Sequence, residues 1–154
     1  MPVAAPQPVL ELDGLTVRLP RGSDRSHAIE NIGFSVGAGE IVCVVGESGS
    51  GKSVTAQTVM GLLPRELEAS AGAARVQGED VLAATPSRLR DLRGTRMAMI
   101  FQEPMTALNP VMKVGAQIAE APFAHLGYGR RKSRDRAIEL MQLVGIPDPE
   151  RRSP

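Results

Sequence analysis

The sequence predicts an α/β fold, with strands first and helices last. Three observations carry that expectation. Apolar residues alternate with period two near the N-terminus. A β-branched run then enters a glycine-rich loop followed by a helical stretch, and the last third of the chain spaces its apolar residues as helices do.

Residues 1–8 hold three prolines and predict a disordered lead-in, with the domain spanning 9–154. Leu10 and Leu12, then Leu15, Val17 and Leu19 after a step at Asp13-Gly14, predict a strand. Pro20 to Ser26 is a polar turn, a second strand is expected around Ile32 to Val36, and Gly37-Ala38-Gly39 closes it. Ile41 to Val45 is continuously apolar and mostly β-branched, the pattern of a strand buried on both faces. Cys43 at its middle reads as a small core residue. Beyond the glycine-rich loop, Ala56, Val59, Met60 and Leu63 predict a helix that Pro64 stops. The chain is then small and polar until Arg75-Val76, turns at Gln77 to Asp80, and forms a short charged helix from Pro86 to Leu92. Arg96 to Phe101 predicts another buried strand, ending at Gln102. Val114, Ile118 and Ala121 share one helical face, and Ala137, Leu140, Met141 and Val144 share another. Ser133 is placed to cap the second helix, which Gly145 and Pro147 end.

The composition excludes several classes. The 154 residues carry 18 Lys and Arg against 17 Asp and Glu, a net charge of +1, which gives no electrostatic case for nucleic acid. A single cysteine excludes an intrachain disulfide and a cysteine-built zinc site. His27 and His125 stand apart from it and from each other, so neither is expected to hold a metal. With no long apolar run and no basic-then-apolar leader, the chain reads as cytosolic and soluble.

Gly46-Glu47-Ser48-Gly49-Ser50-Gly51-Lys52-Ser53 fits G-x-x-x-x-G-K-[ST] at every position. A polyphosphate needs donors at close range. Gly49 and Gly51 allow torsions that turn successive N–H groups inward, where side chains would block the approach. The helix starting near Lys52 adds its positive dipole end. Lys52 supplies a full charge to the β- and γ-phosphates, and the Ser53 hydroxyl is a ligand for Mg²⁺. The loop alone does not separate ATPase, GTPase and kinase, although the Asn-Lys-x-Asp signal for guanine is absent. Arg88, Arg90, Arg93 and Arg96 imitate a kinase lid, but their spacing suits a solvated helix face.

Met99 to Pro110 (MIFQEPMTALNP) narrows the choice: a predicted strand ends in Gln, then an acid and a proline, about fifty residues beyond the loop lysine. This resembles the Q-loop of ATP-binding cassette (ABC) transporter ATPases. FQEPMTALNP and GESGSGKS are similar to the strings carried by the oligopeptide, dipeptide and nickel importer subfamily. The resemblance implies a P-loop NTPase fold of the ABC type, with a β-subdomain, a parallel core sheet and the start of a helical subdomain. It implies ATP and Mg²⁺ as cofactors, with Gln102 joining Ser53 at the metal and orienting the attacking water. It implies transmembrane permease subunits as partners, and a second ATP-binding domain as homodimer, heterodimer or tandem fusion. The place would be peripheral, on the cytoplasmic face of the inner membrane. The stretch from Glu103 to Ile118, apolar and stiffened by Pro104 and Pro110, would meet the permease.

The resemblance stops short of the LSGGQ-type signature, the Asp-Glu strand and the switch histidine, none of which occurs in these residues. The expectation is therefore the N-terminal part of a subunit, unable to hydrolyse ATP alone, with apolar strands uncovered at Ile41–Val45 and Met97–Phe101. Two other readings stay open: a non-catalytic nucleotide-binding or interaction fragment, and a small P-loop kinase. Glu103 is not expected to be the base, because the family's base lies on the Asp-Glu strand. The family's adenine-stacking aromatic is replaced near Leu19 and Pro20, leaving Val17, Leu19 and His27 as candidate base contacts. Arg130-Arg131-Lys132 reads as a solvated linker before a helix.

Overall fold

The alternation from Leu10 builds β1 (Leu10–Arg18), which pairs antiparallel with β2 (His27–Val36) in a computed structural model that describes residues 7–103 and 107–153. The chain divides into two compact units, 1–89 and 90–154.

In the first unit, β1 is the centre of a four-stranded antiparallel sheet of order β2-β1-β3-β4, with β3 at Glu68–Val76 and β4 at Glu79–Asp80. Leu12, Leu15 and Val17 are all buried although the step from 12 to 15 breaks period two. The step is a β-bulge. Leu12 faces Phe34 and Leu15 faces Ile32, so β1 spends one more residue than β2 there. The register to β3 slips at the same place, between Asp13–Ala73 and Thr16–Ala71. The extra residue returns Leu15 and Val17 to the core face. Gly72 lies opposite at φ +84, and a Cβ there would overlap the Gly14 backbone and come within 2.6 Å of the Asp13 carbonyl oxygen. Only glycine permits that approach. Gln77 and Gly78, both at positive φ, make the tight turn from β3 to β4.

Helix α1 (Lys52–Val59) follows the glycine-rich loop. It ends well before Pro64, with Gly61 at φ +62 and the Leu62 N–H bonded to the Gln57 carbonyl at 2.8 Å. Its buried residues are Thr55 and Thr58 rather than the predicted Ala56 and Val59. Both threonines turn their hydroxyls onto helix carbonyls, Gly51 at 3.0 Å and Val54 at 2.7 Å, which satisfies them inside. Met60 is buried as expected.

The two continuous apolar runs depart from prediction. Ile41–Val45 and Arg96–Phe101 form no strand, and the only sheet among the described residues is the antiparallel one. The expected parallel core sheet is thus not formed by the described residues. A ladder needs a neighbour, and none of the described residues pairs with either run. Ile41 and Val45 stay 90 % exposed and Ile100 98 %. Cys43, expected in the core, is exposed with its segment. β2 begins at His27, earlier than predicted, and β3 grows from alanines that read as irregular chain.

Helix α2 (Pro86–Thr95) contains the division between the units. The second unit continues with α3 (Val114–His125), α4 (Arg130–Leu143) and α5 (Pro149–Arg152). Ser133, Ala137 and Met141 form the fully buried stripe of α4, whereas Val144 is exposed. Ser133 is therefore not the cap. Gly129 holds that place, and the Ser133 hydroxyl is buried without a partner among the described residues. The basic Arg130-Arg131-Lys132 opens α4 instead of linking to it, and Lys132 lies 3.8 Å over the Tyr128 ring. Gly145 at φ +73 ends α4 as predicted. Of the predicted lead-in, residues 1–6 lie outside the described residues.

Candidate functional site

Gly46 to Ser53 forms the turn into α1. The Ser50 N–H donates to the Glu47 carbonyl at 3.3 Å, Gly49 sits at φ +79, and Gly51 is the N-cap of α1 at φ +94. Sterics fix Gly51 twice over. L-residues avoid that torsion, and a Cβ there would overlap Ile29 Cγ2 and lie 2.8 Å from the Ala28 carbonyl oxygen. The loop therefore rests directly on the backbone of β2.

The first backbone bond inside α1 runs from the Thr55 N–H to the Gly51 carbonyl at 2.8 Å. The N–H groups of Lys52, Ser53 and Val54 precede it and have no acceptor within the helix. No side chain caps this end and no acid occupies the first turn. The Lys52 ammonium folds over the loop, donating to the carbonyls of Gly46 and Glu47 at 2.7 Å each and to Ser50 Oγ at 3.2 Å. Ser53, the predicted metal ligand, is exposed beside it. Open N–H groups, an ammonium folded over the loop, an exposed hydroxyl and a cradle that excludes a Cβ at Gly51 suit a polyphosphate with its Mg²⁺.

One participant was not foreseen. Arg25, read as part of a polar turn, donates from Nη2 to the Gly49 carbonyl at 2.9 Å. Only the pairing of β1 with β2 brings that turn over the loop, so no local pattern announces it.

Gln102 and Glu103 are exposed and belong to the second unit. Beyond them, Pro104, Met105 and Thr106 of the predicted docking stretch lie outside the described residues. Its later part is described: Leu108, Val111 and Met112 are exposed. Gln117 holds this segment, accepting from the Asn109 N–H at 2.8 Å and donating to the carbonyls of Asn109 and Met112 at 2.9 and 3.1 Å. Val17, a candidate base contact, is fully buried in the sheet and unavailable. Leu19 and His27 are half-buried at the hairpin end, with His27 Nδ1 2.9 Å from Ser26 Oγ. Among the described residues no three His, Cys, Asp or Glu side chains group as a metal site, and no helix is long and apolar enough to cross a membrane.

A family profile described as "ABC transporter" matches residues 29–154. The chain is 46 % identical over 143 residues to the probable D,D-dipeptide transport ATP-binding protein DdpD of Escherichia coli, covering 92 % of this chain and 44 % of the relative. Against the oligopeptide transport ATP-binding protein OppD of Bacillus subtilis the identity is 41 %, covering 94 % and 40 %. Against the dipeptide transport ATP-binding protein DppD of Haemophilus influenzae it is 42 %, covering 94 % and 44 %. The chain thus spans less than half the length of these relatives. In fold it is similar to the dimeric, post-hydrolysis structure of the ATP-binding cassette MJ0796 bound to ADP and Pi. The TM-score is 0.71 and the identity 20 %, with 87 % of this chain and 56 % of that one covered.

Proposed function

The chain belongs to the ABC transporter family, and on that premise we propose that it supplies the Mg-ATP-binding loop of a peptide- or nickel-type importer's ATPase. Gly46 to Ser53 would hold the phosphates, with Lys52 toward the β- and γ-phosphates and the Ser53 hydroxyl as a ligand for Mg²⁺. In the assembled ATPase Gln102 would take the role that the family resemblance gives it, its neutral amide oxygen offering a metal ligand without added charge and a hydrogen-bond partner for the attacking water. The assembled machine pairs this domain with a second ATP-binding domain, docks on permease subunits through the stretch after Gln102, and sits peripherally on the cytoplasmic face of the membrane.

The observation that carries the reading is the Lys52 ammonium held over a loop whose helix end is uncapped. Calorimetric titration with Mg-ATP tests it. Charge-assisted bonds are worth about 1.5–3 kcal/mol, so Lys52→Ala should weaken binding about tenfold or more. Equal affinity of the two proteins would refute the assignment. Lys52-dependent phosphate release by these residues alone would instead favour the kinase reading.

A further inference from the structure

We propose that Arg25 is a second phosphate-facing cation of this site, reaching the bound polyphosphate from the β1–β2 hairpin. The proposal rests on the reading of Gly46–Ser53 as a nucleotide loop. The hairpin is held to the loop at two places. Ala28 and Ile29 lie under Gly51 so closely that a Cβ has no room, and Arg25 Nη2 lies 2.9 Å from the Gly49 carbonyl oxygen. The hairpin end is itself fixed, since the Leu19 N–H donates to the Ser26 carbonyl at 3.0 Å and Ser23 bonds back to Pro20. Arg25 is thus delivered to the loop by the sheet.

The guanidinium carries five N–H donors, and the Gly49 carbonyl takes one. Among the described residues no carboxylate pairs with it. The remaining fork is a match for phosphate oxygens, which guanidinium groups bind through paired N–H bonds. The Gly49 carbonyl is also a partial negative charge on a loop that must accept a polyanion. Covering it with a cation removes a repulsion and leaves the donor in place for the ligand.

The experiment is calorimetric titration of the chain and of Arg25→Ala, Arg25→Lys and Arg25→Gln with Mg-ATP, ADP and AMP, with Lys52→Ala alongside. Circular dichroism and urea midpoints identify any variant that fails to fold, and the Lys and Gln variants then carry the comparison. Arg25→Ala and Arg25→Gln should each lose about tenfold in ATP affinity, Arg25→Lys should recover part of it, and the loss should shrink from ATP to AMP. Wild-type affinity in Arg25→Gln, a polar side chain without the charge, would show that the guanidinium does not meet the phosphates and would overturn the proposal. So would a loss equal for all three nucleotides, which would place the contact on the nucleoside monophosphate part they share and not on the polyphosphate chain. Unchanged affinity in Arg25→Ala with binding lost in Lys52→Ala would overturn the Arg25 assignment alone. ATP affinity alike in wild type and Lys52→Ala would sink the loop reading and this proposal together.

Discussion

Gly51→Ala and Gly49→Ala separate two costs that a glycine-rich loop normally mixes. Both positions have positive φ, +94 and +79, so each alanine suffers the strain of a left-handed torsion, about 1–2 kcal/mol. Their surroundings differ. A Cβ at Gly49 meets nothing within 4 Å, whereas one at Gly51 overlaps Ile29 Cγ2 and approaches the Ala28 carbonyl at 2.8 Å. Ile29 is β-branched, 5 % exposed and set in β2, and the carbonyl is backbone, so neither yields without moving the strand. Overpacking of this kind costs about 1–3 kcal/mol more. Urea denaturation followed by circular dichroism should place Gly51→Ala lower in midpoint than Gly49→Ala by about 1 M, for a slope of about 2 kcal/mol per molar. Coincident midpoints would show that the loop does not rest on β2, and the account of the site's geometry would fall with them.

Two further outcomes follow from burial. Ser133→Ala removes a buried hydroxyl with no partner among the described residues and improves helix propensity, so stability should rise by about 1 kcal/mol and the melting temperature by about 2–4 °C; a fall in scanning calorimetry would mean that the hydroxyl is bonded. Ile41 and Val45 are each 90 % exposed, so the chain should self-associate with rising concentration in sedimentation equilibrium, and the double change to Lys should suppress this. A monomer at all concentrations would count against an accessible apolar segment.

Local chemistry was legible; relations between distant segments were not. The glycine-rich turn into α1, the alternation of β1, the end of α4 at Gly145 and the step at Asp13-Gly14 each have a cause within a few residues. That step proved to be the bulge that keeps Leu15 and Val17 inward. β3 escaped notice because Ala69, Ala71, Ala73 and Ala74 have weak strand preference, and pairing with β1 overrides it. Ile41–Val45 and Arg96–Phe101 misled for the opposite reason. Their composition states what a strand with covered faces looks like, while ladder formation depends on neighbours that the described residues do not supply. Arg25 was invisible because its contact with Gly49 arises only when the hairpin returns over the loop.

On the proposed nucleotide reading, the ammonium of Lys52, bonded to the Gly46 and Glu47 carbonyls, would make ligand entry an exchange. An incoming anion does not fill a waiting vacancy but competes with two carbonyl dipoles for the same cation. A nucleoside or a single halide offers too little to draw the amine away, whereas a chain of adjacent phosphates offers several charged oxygens at once. Side-chain swings of this sort take picoseconds to nanoseconds, so the competition does not slow capture. It would act as a threshold on charge: weak anions would leave the amine where it is, and discrimination would begin before any contact with sugar or base.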